Sequence, residues 1–359
     1  MKLLDRYLLG QFFRNLFLIL SSLIAIYLLI DFFERMDNFM DAGKPFALAI
    51  KYFFCKIPQI YDMMIPVCLL LAGVTTLGIL NRHHEFVAMK AAGISVGRIT
   101  TPLLIGAGLV TVFNIGVSQW LLPPTNSAAH RIFYEEVLNR IPTGVVRNGR
   151  TYYHGPDGIY SFKRPNPQKN HFRNFTYVNW DDAYQMQTRI TAATADWVDG
   201  RWIFRNGQLK QRTGPKDFAI ELFTRKEIPL PESPENFFVP SYKAEEYSIT
   251  DLFERAREQD EYGERTGWID FHRRLSFIFL GLPLLLLGIP VLLTVQERRG
   301  RDLALAIPIS CGLAFGAWGW WSMAQSLAKT VHLPPSTLAW SIHLLAGSIG
   351  FYFIRQQDR

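Results

Sequence analysis

The chain has 359 residues, a formal net charge of +7 and 49% hydrophobic residues, material for about two or three average domains, with its apolar residues gathered too unevenly for one soluble core. Cys55, Cys68 and Cys311 fall in or beside apolar runs, which excludes a disulfide scaffold and leaves the compartment of the polar insert unread from redox chemistry. The segment between Leu122 and Trp268 holds equal numbers of acidic and basic residues, so the basic pI of 9.3 comes from the apolar half and is no argument for nucleic-acid binding.

Six runs approach the roughly 20 apolar residues needed to cross hydrocarbon: Phe12 to Phe33, Ile57 to Leu80, Ile99 to Leu122, Leu275 to Val295, Leu303 to Ala328, and Leu333 to Ile354. The first carries Arg14 and Asp31 near its ends and the second carries Asp62; the other four have no charge. Lys2 and Arg6 ahead of the first run resemble a secretory leader, but no small-x-small cleavage site follows and the apolar stretch is longer than a leader core, so it reads as a retained span. Lys2, Arg6, Arg14, Arg82, Lys90, Arg98, Arg298, Arg299, Arg301, Arg355 and Arg359 collect on one side, against Arg35, Lys44, Lys51 and Lys329 on the other. The positive-inside rule therefore makes both termini and the loops 81–98 and 296–302 cytoplasmic, and exports the insert.

Between the third and fourth spans the texture changes. From Pro142 to Pro240 short aromatic and β-branched runs alternate with turn residues, predicting strands at Arg150–His154, Ile159–Lys163, Phe172–Trp180, Met186–Val198, Arg201–Phe204, Gln208–Arg212 and Ala219–Thr224. Asp199-Gly200 is the strongest hairpin signal, since a two-residue loop needs positive φ; Pro165 and Pro167 break one connection, and Pro229, Pro231 and Pro234 close the region. Such a domain is a sandwich, a jelly roll or a partly open barrel. Short helices flank it at 126–139 and in SITDLFERAREQ, where Ser248 or Thr250 can cap and Ile249, Leu252, Phe253 and Ala256 form one stripe. The fold class is thus a membrane α-helical bundle of six transmembrane helices with an inserted all-β domain, divided as 1–122, 123–268 and 269–359.

Enzyme signatures are missing: the sequence has no H-E-x-x-H, G-x-S-x-G, C-x-x-C or Gly-rich phosphate loop. His83-His84-Glu85 is a poor metal site, because adjacent helical residues point about 100° apart. Asp62 and His343 lie inside apolar runs, where they serve either a proton or ion relay or helix-to-helix hydrogen bonding. Prolines and glycines along the spans, Gly73, Gly288 and Gly316 among them, permit kinks and close helix contact.

The loop NRHHEFVAMKAAGIS, residues 81–95, holds more pattern than a connection needs. Phe86, Val87, Met89, Lys90 and Gly93 follow helical spacing with a glycine stop, predicting about three turns over 82–93, with Phe86 and Met89 presented as apolar anchors and Glu85 beside them. Two readings stand: docking into the groove of a soluble partner, or a lipid-surface helix with no partner.

The opening LLDRYLLGQFFRNL, the HHEFVAMKAAGIS loop, the β-insert and the re-entry YSITDL…RRLSFIFLGLPLLLLGIPVLL, in that order, resemble the lipopolysaccharide export permeases, the LptF/LptG family also called YjgP/YjgQ, and LDRY resembles the LptG branch more. The resemblance covers nearly the whole chain. It implies one permease subunit of an ATP-binding-cassette exporter in the inner membrane of a Gram-negative bacterium, paired with a paralogous six-span permease. ATP and Mg would sit on a separate cytosolic ATPase dimer, and this chain would bind no cofactor itself. A periplasmic jelly-roll domain would pass lipopolysaccharide to LptC-like and LptA-like bridge proteins. Glu85, Phe86, Met89, Lys90 and Gly93 would form the coupling helix. Leu23, Tyr27, Ile30, Phe315, Trp318 and Met323, on the first and fifth spans, would line an acyl cavity. The outer end of the first span, IDFFERMDNFMDAGK, departs from the basic pattern of that branch, so headgroup contacts fall to Arg35 and Lys44 or to Arg131, Arg273 and Arg274. The alternative is a non-transporting scaffold whose β-domain recruits a periplasmic partner, and a third is an intramembrane enzyme using Asp62.

Overall fold

The computed structural model describes residues 3–138, 144–147, 150–155, 157–163, 170–181, 185–198, 200–214, 217–234, 237, 246–261, 265–299, 303–330 and 334–357. Lys2, Asn139, Pro142, Pro165, Pro167, Asp199, Pro240, Arg301, Leu333 and Arg359, which carry expectations above, lie outside them, as do the side chains of Arg298 and Arg299. The chain forms two compact units, one of Met1–Leu138 with Lys243–Arg359 and one of Asn139–Tyr242. The expected boundaries at 123 and 268 differ from these because the flanking helices belong to the helical unit.

In the helical unit, α1 (Leu3–Asp41), α2 (Phe46–Arg82) and α4 (Val96–Gly116) hold the first three apolar runs, with the short α3 (Glu85–Ala91) between α2 and α4. The third run does not stop near Leu122. It continues through a π-helical turn into α5 (Leu122–His130) and a second π-helical stretch, Arg131–Val137, so the predicted helix at 126–139 is an extension of the same rod. Pro123 and Pro124 stand at the junction of the π-helical turn and α5, where the hydrogen-bond ladder changes register. After the β-unit come α6 (Ile249–Glu261), α7 (Thr266–Phe279), α8 (Gly281–Arg299), α9 (Leu303–Thr330) and α10 (Pro335–Gln357). Ser248 caps α6: its Oγ accepts from Asp251 N–H at 3.1 Å while Asp251 accepts from Ser248 N–H at 3.0 Å. Among the described residues four helices are long and apolar enough to cross a membrane, and a fifth is made by α7 and α8 together, bent by 41°. α9 has 28 residues with Lys329 as its one charge.

α2 is the axis of the unit, its apolar window 67% buried against 11% for α1. It meets α8 closely because glycines make room: Leu285 reaches the Cα of Gly73, Leu70 that of Gly288, and Leu69 that of Gly281. Leu8, Phe12, Leu77, Leu103 and Ile289 complete one continuous core.

Among the described residues the second unit is a seven-stranded antiparallel sheet in sequence order: β1 (Gly144–Arg147), β2 (Arg150–His154), β3 (Ile159–Lys163), β4 (His171–Trp180), β5 (Met186–Val198), β6 (Arg201–Arg212) and β7 (Phe218–Glu227). Each strand pairs with the next, so the connectivity is an up-and-down meander, which corrects the jelly-roll expectation: a jelly roll pairs strands distant in sequence. The predicted strands 201–204 and 208–212 are one strand, and GVVR at 144–147 is an additional one. Val198 pairs with Arg201 around Gly200 at φ 78°, the hairpin that the sequence signals.

One face buries an aromatic core of Tyr160, Phe162, Phe172, Phe175, Trp202 and Phe204, with Phe237 in its middle. The Tyr153 and Trp202 rings lie 5.0 and 5.8 Å from that of Phe237, hence within about 11 Å of each other, where a flat sheet would set β2 and β6 about 19 Å apart. The sheet therefore curls around the core. A line of pleat slips aids the curl. Two consecutive residues face away from the core at Arg173-Asn174 in β4, Ala193-Thr194 in β5, Arg205-Asn206 in β6 and Thr224-Arg225 in β7, and the registers align them strand to strand. Asn174 and Asn206 take φ of 50° and 51°, a region asparagine tolerates better than most residues.

Candidate functional site

α2 runs out at Arg82, and the chain turns through His84 at φ 63° before α3 begins. That left-handed residue shortens the expected helix from three turns to the seven residues Glu85–Ala91. Its end is built as the spacing predicts. Gly93, at φ 80°, donates to Lys90 O at 3.0 Å and Ile94 to Met89 O at 3.0 Å, the paired bonds of a Schellman stop. Ser95 then caps α4, accepting from Arg98 N–H at 3.2 Å.

The apolar face of α3 points opposite to its expected direction. Phe86 is 5% exposed and belongs to the helical core, and Met89 packs against the same core. Neither stands free as a docking anchor, because within a single chain both are already spent on seating the helix. What α3 presents outward is Val87, Ala88 and Lys90, with His83 and His84 beside them. Among the described residues no three His, Cys, Asp or Glu side chains gather as a metal site.

Two polar ties join this loop to the start of α1. Tyr7 O–H donates to Glu85 Oε2 at 2.8 Å, and Arg98 Nη2 lies 2.7 Å from the buried Asp5 carboxylate. Glu85 is thus held by the chain's own first helix. The expectations gave Asp5 and Tyr7 no role and used Arg98 only for topology; a carboxylate in the first turn of a helix is favoured on its own account, so the phenol in LLDRYLL was the clearer signal.

A second polar node lies deep among the helices. Asp62 of α2 accepts from Asn114 Nδ2 of α4 at 3.1 Å and pairs with Arg274 Nη1 of α7 at 3.7 Å. Two residues on, Ser276 Oγ accepts from Trp321 Nε1 of α9 at 3.0 Å, and its carbonyl oxygen lies 2.8 Å from His343 Nε2 of α10. The end of α7 therefore ties α2, α4, α9 and α10 just before the bend at Leu280.

The headgroup candidates separate by environment. Arg35 is engaged by Asp31 at 2.7 Å and stacked 4.2 Å from the Phe133 ring centroid, and Arg274 is turned inward to Asp62. Arg131 stays exposed and Arg273 half-buried, with carboxylates at 3.9 and 3.5 Å, while Lys44 is half-buried beyond Gly43. Of the acyl-cavity residues, Ile30, Phe315, Trp318 and Met323 are at least half exposed on the outside of α1 and α9; Leu23 and Tyr27 are half-buried. Both helices pack on α2. A separate apolar recess of about 400 Å³ between α1 and α2 is lined by Ala25, Leu28, Phe32, Ile50, Phe53 and Ile57, none of them among the expected six.

A family model described as lipopolysaccharide export system permease LptF/LptG matches residues 6–356. Lipopolysaccharide export system permease protein LptG of Haemophilus influenzae is 26% identical over 126 residues, a match spanning 35% of this chain and 35% of that protein.

Proposed function

Because the chain belongs to the LptF/LptG family of lipopolysaccharide export permeases, we propose that it is one permease subunit of an ATP-driven exporter. It would move lipopolysaccharide out of the inner membrane, with hydrolysis on separate ATPase chains that hold ATP and Mg. The bent pair α7–α8 would be the fourth span and α9 the fifth, giving six spans with cytoplasmic termini and an exported β-unit that hands the lipid to LptC-like and LptA-like bridge proteins. The observation that carries the reading is α3, a short helix in the loop on the basic side, seated by Phe86 and leaving Val87 and Lys90 open. A docked ATPase would push on that surface. The clasp of Tyr7 and Asp5 would then pass the displacement to α1, which lines the lipid path.

A second permease subunit is supported by α9. Gly312, Gly316 and Gly319 have nothing within 4 Å of an added Cβ, so this small-residue face lies open to a partner helix, beside Phe315 and Trp318. An acyl cavity would close only between two such subunits.

Co-expression with the candidate ATPase and the second permease, then reconstitution into liposomes, tests the assignment. Lipid-stimulated ATP turnover should depend on Val87 and Lys90, and the double variant Val87→Asp/Lys90→Glu should insert normally yet lose the ATPase. Turnover retained by that variant would sink the coupling role. A complex isolated without any ATPase would favour a scaffold.

A further inference from the structure

The row of the sheet that carries the pleat slips is crowded with cations. Lys163 of β3 pairs with Arg173 of β4, Arg173 with Thr194 of β5, Thr194 with Arg205 of β6, and Arg205 with Arg225 of β7. The register runs on through Arg150, one place beyond the Thr151–Phe162 pair, and Arg147 sits opposite Arg150 in β1. Six of the seven strands thus place a cation in one row. Like charges directly opposed across strands destabilise a sheet, so the alignment works against folding. A merely solubilising surface would intersperse carboxylates, as this sheet does elsewhere with Arg201–Glu227 and Arg212–Asp181. In the row Asp196 approaches Arg205 at 3.7 Å, while Arg173 and Arg225 are exposed with no carboxylate within 4.0 Å among the described residues.

Beside the row, on the face turned away from the aromatic core, lies a groove of about 710 Å³. Arg150 and Arg189 bring cations to its lining, Asn174, Thr176, Thr191 and Asn206 are among its neutral polar groups, and no carboxylate contributes. Arg150 Nη2 donates to Asn174 O at 2.9 Å, yet its Nε and the Thr191 Oγ1 are buried without a hydrogen-bond partner among the described residues. Buried polar atoms left unpaired are costly, and both line this groove.

We propose that this ladder and groove bind an anionic saccharide, the guanidinium groups taking its phosphate or carboxylate oxygens and the amide and hydroxyl side chains its sugar hydroxyls. A flat anionic membrane needs charge but neither a concave floor nor hydrogen-bonding side chains, so the groove favours the saccharide. The ladder spans about 19 Å from β3 to β7, enough for several sugar units. The choice of a saccharide among anions leans on the export reading, where it would be the sugar portion of the lipid riding on the outer face of the sheet.

Binding is measured without any ATPase, on the full chain in nanodiscs of zwitterionic lipid, using a glucosamine disaccharide that carries two phosphates and no acyl chains. Affinity should fall by about tenfold or more in Arg173→Glu/Arg225→Glu, fall less in Arg173→Gln/Arg225→Gln, and weaken with salt, with β-sheet circular dichroism unchanged. Undiminished binding by the charge-reversed variant overturns the proposal, as does equal binding of the unphosphorylated disaccharide. Inorganic phosphate binding as tightly would reduce the site to a simple anion patch, and full competition by anionic phospholipid vesicles would give it to a membrane surface; either overturns the saccharide claim. Failure of transport with saccharide binding intact would count against the export reading alone.

Discussion

Arg274 Nη1 lies 3.7 Å from Asp62 Oδ2, closing an ion pair between α7 and α2 where the two side chains are 17% and 9% exposed. A pair this deep contributes little net stability, but either member alone is a charge stranded in an apolar bundle. Asp62→Asn or Arg274→Met should each cost about 3 kcal/mol, and the double variant Asp62→Leu/Arg274→Leu should recover most of that loss. Thermal unfolding in detergent, arranged as a double-mutant cycle, reads it out. Additive losses would show that the two residues are not acting as a pair. The same variants bear on the intramembrane-enzyme alternative, since lipid conversion lost in Asp62→Asn without loss of stability would revive it.

Tyr7→Phe removes one oxygen and with it the tie to Glu85. Hydrogen bonds of this kind are worth about 1 kcal/mol, so the chain should fold, insert and hold the proposed ATPase. The expected change is in coupling: less lipid moved per ATP hydrolysed, with ATPase association intact. An unchanged ratio would show that α3 acts on the spans without the clasp. Asp5→Asn, which weakens the second tie to Arg98, should lower the ratio further when combined with Tyr7→Phe.

Phe86 and Val87 are neighbours with opposite duties. Phe86→Ala should open a cavity under α3 and cost about 3 kcal/mol, lowering the melting temperature whether or not a partner is present. Val87, 41% exposed, should tolerate Ala within about 0.5 kcal/mol while weakening the ATPase complex. Melting temperatures of the free chain, set beside pull-down yields, separate the two. If Phe86→Ala left stability untouched and abolished docking, the buried placement would be wrong.

The helical runs were legible because hydrocarbon demands long contiguous apolar stretches, and this requirement is written locally. The strands were legible where alternation is clean. Reading failed at Arg205-Asn206-Gly207, turn-like residues that lie inside one strand with Asn206 at a left-handed φ, and at GVVR, too short to carry a period. Helical spacing in 82–93 revealed that a face exists; which way it points depends on Leu8, Leu80 and Ile99 arriving from other helices, and nothing local encodes that. Asp62 was visible as an oddity, yet its partner lies far along the chain, as Tyr7 lies far from Glu85. The cationic row was hidden for the same reason. Its members are scattered through the insert and become a row only once the register is set.

The contact between α8 and α10 offers a test with an internal control. A Cβ added at Gly350 would come within 2.6 Å of both the carbonyl carbon and oxygen of Leu286, main-chain atoms that cannot swing aside. At Gly347, one turn earlier on the same helix, an added Cβ meets nothing within 4 Å. Alanine is otherwise preferred to glycine inside a helix by about 1 kcal/mol. Gly347→Ala should therefore be neutral or slightly stabilising, and Gly350→Ala should push the two helices apart and lower the melting temperature. The displacement would also strain the Gln357 side-chain amide, which donates to Pro290 O at 3.2 Å. Equal tolerance of both substitutions would mean that α8 and α10 are not in backbone contact, and the small-residue packing argument for this pair would fall.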